Sequence, residues 1–353
     1  MKIIFWQNII SSHQSFLIRE LANRHEVILA VIDEISTERV QQGWKIPNTG
    51  KAKMIHLENE KIAFDLLDKN KKAIHLFSGI ASYKILTDVF RKVDKKAIIG
   101  VIVEAGSPIG WKRHLRKLFY RMKYLLYNNK INFLFTMGDL GVKWYHSVGF
   151  PKSKLIKFQY FTELPALETL KESAIETPAQ LLFIGQLIDR KNILGLVRAL
   201  INLKSLKYNL NIIGDGPLLS TVQNLVQQNN MEDRITFLGN LNNQDAMRYL
   251  NISDYLILPS YFDGWGAVVN EALSRGVKVI TNENCGASCM VKELNWGVVY
   301  KNNSNNSLQN ILQSTLNNFK KESHTSRKLV AAKFADQYSY AMVDRLEDVL
   351  RKL

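Results

Sequence analysis

The sequence predicts an α/β protein of two doubly wound, Rossmann-like domains, and three observations carry that prediction. Short apolar runs alternate with amphipathic stretches along all 353 residues, the pattern of parallel sheets covered on both faces by helices. The length suits two domains better than one, and a hydrophobic content of 46% fills two cores. Between two strand-like runs, the stretch 161–179 holds Pro165, Pro178 and several charges, and it reads as a linker. The expected organisation is a first domain over 1–165, a second over 166–338, and a closing helix over 339–353.

Taken in order, strands are predicted near 2–6, 26–32, 73–76, 97–103 and 132–136, with helices near 14–24, 80–92, 111–128 and 139–147. Met1-Lys2-Ile3-Ile4-Phe5-Trp6 is followed at once by polar residues, so it reads as a first strand and not as a signal peptide. Ala97-Ile98-Ile99-Gly100-Val101-Ile102-Val103 has the length of a buried strand, far below the roughly 18–20 residues of a membrane span. In the second half, strands are predicted near 180–185, 209–213, 235–238, 254–258 and 278–281, and helices near 192–203, 217–229, 243–250 and 266–275. Over 339–353, helical spacing places Met342, Leu346, Val349 and Leu350 on one face.

The formal net charge of +15 calls for a polyanionic partner: nucleic acid, an anionic membrane surface or anionic metabolites. Residues 111–127 contain no acid. Trp111, Leu115, Leu118, Phe119, Met122, Leu125 and Leu126 make one apolar face, expected to pack on the sheet. Lys112, Arg113, Arg116, Lys117 and Lys123, interleaved with Tyr120, Tyr124 and Tyr127, make the other, which suits a lipid headgroup interface. Cys285 and Cys289 are the two cysteines; without further Cys or paired His they do not make a zinc site, and they are expected as thiols in a cytoplasmic protein.

Chemistry concentrates at Leu258-Pro259-Ser260-Tyr261-Phe262-Asp263-Gly264-Trp265-Gly266, with Glu271 following. The apolar run 255–258 reads as a strand, then comes a glycine-broken turn, then a helix; a parallel sheet builds ligand sites at such a place. Gly264 and Gly266 allow close backbone approach, and the helix start offers N–H groups to a phosphate. Asp263 and Glu271 add carboxylates, which a phosphate does not need but a polyhydroxylated group does. A sugar on a nucleotide diphosphate matches both halves. A second anion site is expected where Gly185 and the adjacent Arg190 and Lys191 stand at a strand end and helix start. Gly214 and Gly216 form a further strand-to-helix turn with Pro217.

At these residues the chain resembles the family 4 retaining glycosyltransferases, which have the GT-B fold of two such domains facing a cleft. Their signature is an acid and a glutamate separated by seven residues, within Pro-Ser…Glu-Gly-Phe-Gly…Glu-Ala. Here Asp263 stands for the first Glu and Trp265 for the Phe. The resemblance is strong over 180–300 and a loose pattern match over 1–165.

The resemblance implies a retaining transfer of a sugar from a nucleotide diphosphate to a saccharide acceptor, lipid-linked, in bacterial surface-polysaccharide synthesis at the inner face of the plasma membrane. Lys191 would face the diphosphate. Gln186 occupies the usual arginine position, so Arg190 is expected to supply that charge. Glu271 would hold the ribose and Asp263 the donor-sugar hydroxyls. Gly185, Gly214, Gly216, Gly264, Trp265 and Gly266 would line the donor, Leu238 and Asn240 the base, and the turn 284–288 the donor sugar. UDP is preferred to GDP. On the acceptor side, His13 and Glu104 are the candidates, His13 equally placed as a neighbour of a helix cap. No Asp-x-Asp pair occurs in the chain, so no metal and no cofactor are expected. The competing readings are a GT-B sugar-nucleotide epimerase or phosphorylase and a basic nucleic-acid-binding protein; against the latter, no nucleic-acid module is recognisable.

Overall fold

Five of the six residues of β1 (Lys2–Gln7) are buried, as are five of six in β2 (Glu26–Val31). Strands read as near-continuous apolar runs when both sheet faces are covered. The computed structural model describes residues 1–33, 46–79, 83–165, 178–301 and 305–352. The chain divides into two units, Met1–Thr162 with Gln337–Leu353, and Glu163–Asp336.

In the first unit, β3 (Lys53–His56), β4 (Ile74–Ser78), β5 (Ile99–Val103), β6 (Phe133–Met137) and β7 (Leu155–Phe158) join β1 and β2 in a seven-stranded sheet, order β3-β2-β1-β4-β5-β6-β7. Every pairing is parallel. The chain runs outward from β1 to β3, then returns to β4 on the other side of β1. The carboxyl ends of β1 and β4 therefore flank a topological switch point, where such sheets form crevices. In the core, Trp6 stacks on Phe77, centroids 5.9 Å apart, and Phe77 meets Phe90 edge-on at 5.2 Å; each such contact contributes about 0.5–1.5 kcal/mol beyond burial.

The second unit holds β8 (Ala179–Ile184), β9 (Tyr208–Ile213), β10 (Ile235–Gly239), β11 (Tyr255–Leu258), β12 (Lys278–Asn282) and β13 (Gly297–Tyr300), order β10-β9-β8-β11-β12-β13, again all parallel. Its switch point lies between β8 and β11.

Three strands escaped the sequence reading, β3, β7 and β13, and all three lie at sheet edges. Half-exposed edge strands need fewer apolar residues, so Lys53-Met54-Ile55-His56 gives little signal. The helices Glu60–Lys69, Ser288–Leu294, Asn305–Asn317 and His324–Ala335 were likewise not predicted. The helix expected over 80–92 is observed as Lys84–Lys92, and 80–82 lie outside the described residues. Most of the expected linker, 166–177, lies outside them too.

The closing helix, Ala341–Arg351, belongs to the first unit and follows a π-helical turn at Asp336–Tyr340. Its buried face is Val343, Leu346, Glu347 and Leu350 rather than Met342, Leu346, Val349 and Leu350. The face is rotated because Glu347 turns in to meet Arg24, whose guanidinium lies 3.1 Å from Glu347 and 2.5 Å from Asp344.

The largest correction concerns the helix Arg113–Tyr127, whose faces are the reverse of those expected. The apolar stripe does not pack on the sheet: Trp111 is 81% exposed, and Leu115, Leu118, Phe119, Met122, Leu125 and Leu126 are 54–70% exposed. Turned inward instead are Arg116, Tyr120, Lys123, Tyr124 and Tyr127. The tyrosines take part in aromatic clusters, Tyr120 edge-on to Trp144 and Tyr145, Tyr124 to Phe150 and Tyr127 to Phe90. Arg116 is spent on the carbonyls of Ser107 and Ile109. Lys112, Arg113, Lys117 and Arg121 remain exposed.

Candidate functional site

At the switch point of the second unit, the segment after β8 and the loop after β11 meet. Gly214, at the end of β9, lies as close to the turn after β8: at φ +132°, a Cβ there would stand 2.0 Å from the Gly185 carbonyl. The Gly185 amide donates to Ile213 at 3.0 Å and the Gly214 amide to Gly239 at 2.8 Å, so the ends of β8, β9 and β10 are tied in a row. Gly216 follows in the same turn, and Leu238 and Asn240 stand at the end of β10. Asn192, in the left-handed region at φ 55° and buried, donates to the Pro259 carbonyl and pins the cation-bearing turn against the motif loop.

The charges converge there. Lys191 Nζ lies 2.5 Å from Asp263 Oδ2, and Arg190 lies 3.7 Å from the same oxygen while donating to the Phe262 carbonyl at 3.0 Å. Arg190, Lys191 and Asp263 thus form one cluster, while Gln186 is exposed. Asp263 is held from its backbone as well. Its amide donates to the Asn284 carbonyl and its carbonyl accepts from the Gly286 amide, both at 3.0 Å, which stitches the turn 284–288 to the motif loop.

Two expectations need correction. The helix behind the loop spans Ala267–Leu273, shorter than 266–275, with Gly266 as its left-handed cap. Trp265, expected along the donor, has a side chain 1% exposed that donates to Asn270 Oδ1 at 2.8 Å. The indole is core, and the Trp265 carbonyl accepts from the Ala287 amide and the Cys285 thiol. Gly264, beside it, sits against Gly286. Glu271 is partly accessible, and burial pushes its carboxyl up to about 7, an effect that Arg275 partly offsets. Cys285 and Cys289 are buried thiols, and burial pushes Cys285 up to about 12.

In the first unit, a cavity of about 490 Å³ opens at the carboxyl ends of β1, β4 and β5. Glu104 lines it and accepts a hydrogen bond from Tyr160 Oη at 2.6 Å. His13 stacks on Tyr160, centroids 5.4 Å apart, and its own amide reaches the Ser11 hydroxyl of the helix cap. Tyr160 therefore links both acceptor-side candidates, although Glu104 lines the cavity and His13 stands behind. The sequence reading missed Gln7, Gln14 and Ser78 on the cavity floor, joined by side-chain hydrogen bonds, and Tyr120 and Lys123 on its wall. A polar pair at strand ends, Gln7 and Ser78, was a signal available in the sequence.

Residues 167–329 match the family model described as "Glycosyl transferases group 1". A curated relative, an uncharacterized glycosyltransferase of Methanocaldococcus jannaschii, is 27% identical over 137 residues, 39% of this chain and 38% of that protein. A Campylobacter jejuni relative, described as an N-acetylgalactosamine-N,N'-diacetylbacillosaminyl-diphospho-undecaprenol 4-alpha-N-acetylgalactosaminyltransferase, is 26% identical over 181 residues, 50% of this chain and 49% of that protein. The chain thus spans half or less of the length of these relatives. Among solved structures, Anabaena Alr3699/HepE in complex with UDP superposes over 100% of both chains with a TM-score of 0.75 at 13% identity. The fold is GT-B. Among the described residues, no helix is long and apolar enough to cross a membrane.

Proposed function

We propose that the protein is a retaining glycosyltransferase that moves a sugar from a nucleotide diphosphate, UDP in preference to GDP, to a hydroxyl of a lipid-linked saccharide in surface-polysaccharide synthesis. The observation that carries this reading is the cluster of Lys191, Arg190 and Asp263 at the switch point of a group 1-like unit. Two cations gathered on one carboxylate are placed to receive a diphosphate, and neutralising that leaving group stabilises the transition state. Asp263 then turns to donor-sugar hydroxyls, and Glu271 accepts from the ribose. In this reading transfer needs no metal, because the chain has no Asp-x-Asp pair to hold one on the diphosphate and Lys191 and Arg190 supply the charge instead. The lipid-linked acceptor is supported by the Campylobacter relative and by the exposed apolar stripe of the helix Arg113–Tyr127, flanked by cations, which fits the inner face of an anionic membrane.

The test is kinetic. A thermal-shift screen of nucleotide sugars first finds the donor, because a bound donor stabilises the fold according to its saturation. Lys191→Ala then lowers turnover on the order of 10²–10³, as loss of an oxyanion donor does. Arg190→Ala costs less, and the double variant is worse than either. Unchanged turnover in Lys191→Ala with saturating donor would refute the reading.

A further inference from the structure

We propose that Arg275 is the counter-charge of Glu271, a positioning residue that keeps the ribose-binding carboxylate ionised at neutral pH. Its part in the reaction rests on the proposed donor site, where Glu271 is read as the ribose ligand. Three features point to this role.

Arg275 is a buried cation, 9% exposed. The helix Ala267–Leu273 runs out at Ser274, and the Arg275 amide still closes its last turn on the Ala272 carbonyl at 3.0 Å. The side chain then folds back along the helix. Among the described residues, the partners of its guanidinium are neutral oxygens: Nη1 donates to the Glu271 carbonyl at 3.1 Å and to Ser274 Oγ at 3.2 Å. Nε is buried without an acceptor. A guanidinium taken out of water is costly unless a negative charge stands nearby.

The nearby charge is Glu271. Side chains four residues apart on a helix are neighbours, their Cβ atoms about 5–6 Å apart, and the guanidinium already reaches the Glu271 backbone. Charges on the elements packed against this helix are engaged elsewhere. Lys278 of β12 pairs with Glu322 and lies over the Tyr255 ring of β11. Arg248, on the helix Asn243–Ile252, pairs with Asp245. Arg327, on the helix His324–Ala335, faces Asp254 and donates to the Arg275 carbonyl at 3.4 Å. At the motif loop, Asp263 holds Lys191 and Arg190.

The third feature is mutual. Burial raises the Glu271 carboxyl to about 7 and Arg275 pulls it down, while burial lowers the Arg275 pKa and Glu271 pulls it up. Taking Arg275 away leaves burial unopposed, so Glu271 keeps its proton at pH 7. A protonated carboxyl gives up part of its acceptor capacity to that proton.

The experiment is a titration of Glu271 by carbon-13 NMR in protein labelled at the glutamate carboxyls, with the Glu271 signal identified by its loss in Glu271→Gln. In Arg275→Gln the midpoint should rise by about one pH unit, and Arg275→Lys should restore it. Calorimetric affinity for UDP-glucose should fall about fivefold in Arg275→Gln at pH 7, where the ionised fraction drops from about half to about one in ten, and should match the unmodified protein at pH 9. Should Arg275→Gln not fold, Arg275→Met keeps the apolar stem, removes the buried charge and gives the same readout. An unchanged Glu271 midpoint in the neutral variant overturns the pairing. Equal loss of affinity at both pH values also overturns it and leaves Arg275 as a support of the helix end. If the midpoint moves with Arg275 while UDP-glucose affinity is independent of pH in the unmodified protein, the pairing stands and Glu271 is not the ribose ligand.

Discussion

Asp263 sits where its charge meets both Lys191 and Arg190, so it and an incoming diphosphate compete for the same cations. Asp263→Asn removes that competitor and leaves the cations in place. UDP alone should then bind more tightly, about tenfold for an interaction of roughly 1.4 kcal/mol, while transfer falls because a sugar ligand is lost. Calorimetry decides it, and weaker UDP binding would refute the competition. Glu271 supplies a second prediction. Burial holds its carboxyl protonated up to about 7, and only the ionised form accepts from both ribose hydroxyls. Affinity for a nucleotide sugar, whose phosphates do not titrate near neutrality, should rise as pH climbs from 6 to 8. The same raised pKa means that the folded state binds more protons than the unfolded one between about 4.5 and 7, so Glu271 makes stability fall with pH across that window. Glu271→Gln should flatten both profiles; an unchanged affinity profile would remove Glu271 from the ribose. At this scale the two motifs stand out in the sequence because Gly185 to Lys191 and Asp263 to Glu271 are each short spacings. Gln7 and Lys123 do not, because the cavity they line is completed by residues of distant strands such as Ser78 and Ile102, and Trp265 was misread because a side chain's direction is set by packing around it.

The helix Arg113–Tyr127 shows the limit of periodicity at the scale of an element. A stripe of Leu and Phe marks an apolar face but not what it meets. Here the tyrosine face won the interior, because Trp144, Tyr145 and Phe150 offer edge-on ring contacts there. For membrane docking the consequence is quantitative. Each cation near an anionic bilayer contributes about 1 kcal/mol and is screened by salt, whereas a fully buried Leu or Phe contributes about 1.5–3 kcal/mol and is not. The apolar stripe should therefore dominate. In vesicle flotation, Leu118, Phe119, Met122 and Leu125 changed together to Ser should abolish binding even at low salt. Replacing Lys112, Lys117 and Arg121 by Ser should weaken binding and leave a salt-resistant remainder. Equal flotation of the apolar variant and the unmodified protein would reduce the stripe to an exposed surface without a bilayer partner.

For the whole molecule, the two units are separate cores, and the first contains both ends of the described chain. Leu346, 1% exposed in the closing helix, completes the first core. Leu346→Ala should cost about 2–5 kcal/mol and should lower the unfolding midpoint of the first unit without moving that of the second. Fluorescence and far-UV dichroism in urea should then separate, since two units of unequal stability no longer unfold together. A single coincident transition, shifted or not, would show the units to be coupled.

The sequence by itself determined the alternation of strand and helix, the parallel sheets and the motif at 258–271, because apolar period, glycine breaks and short spacings are local properties of a chain. The tertiary structure decided the edge strands, which side of the helix Arg113–Tyr127 faces inward, the pairing of Lys191 and Arg190 on Asp263, and the cavity at the switch point of the first sheet. These depend on which distant elements become neighbours. Packing then selects among faces that local periodicity leaves equivalent.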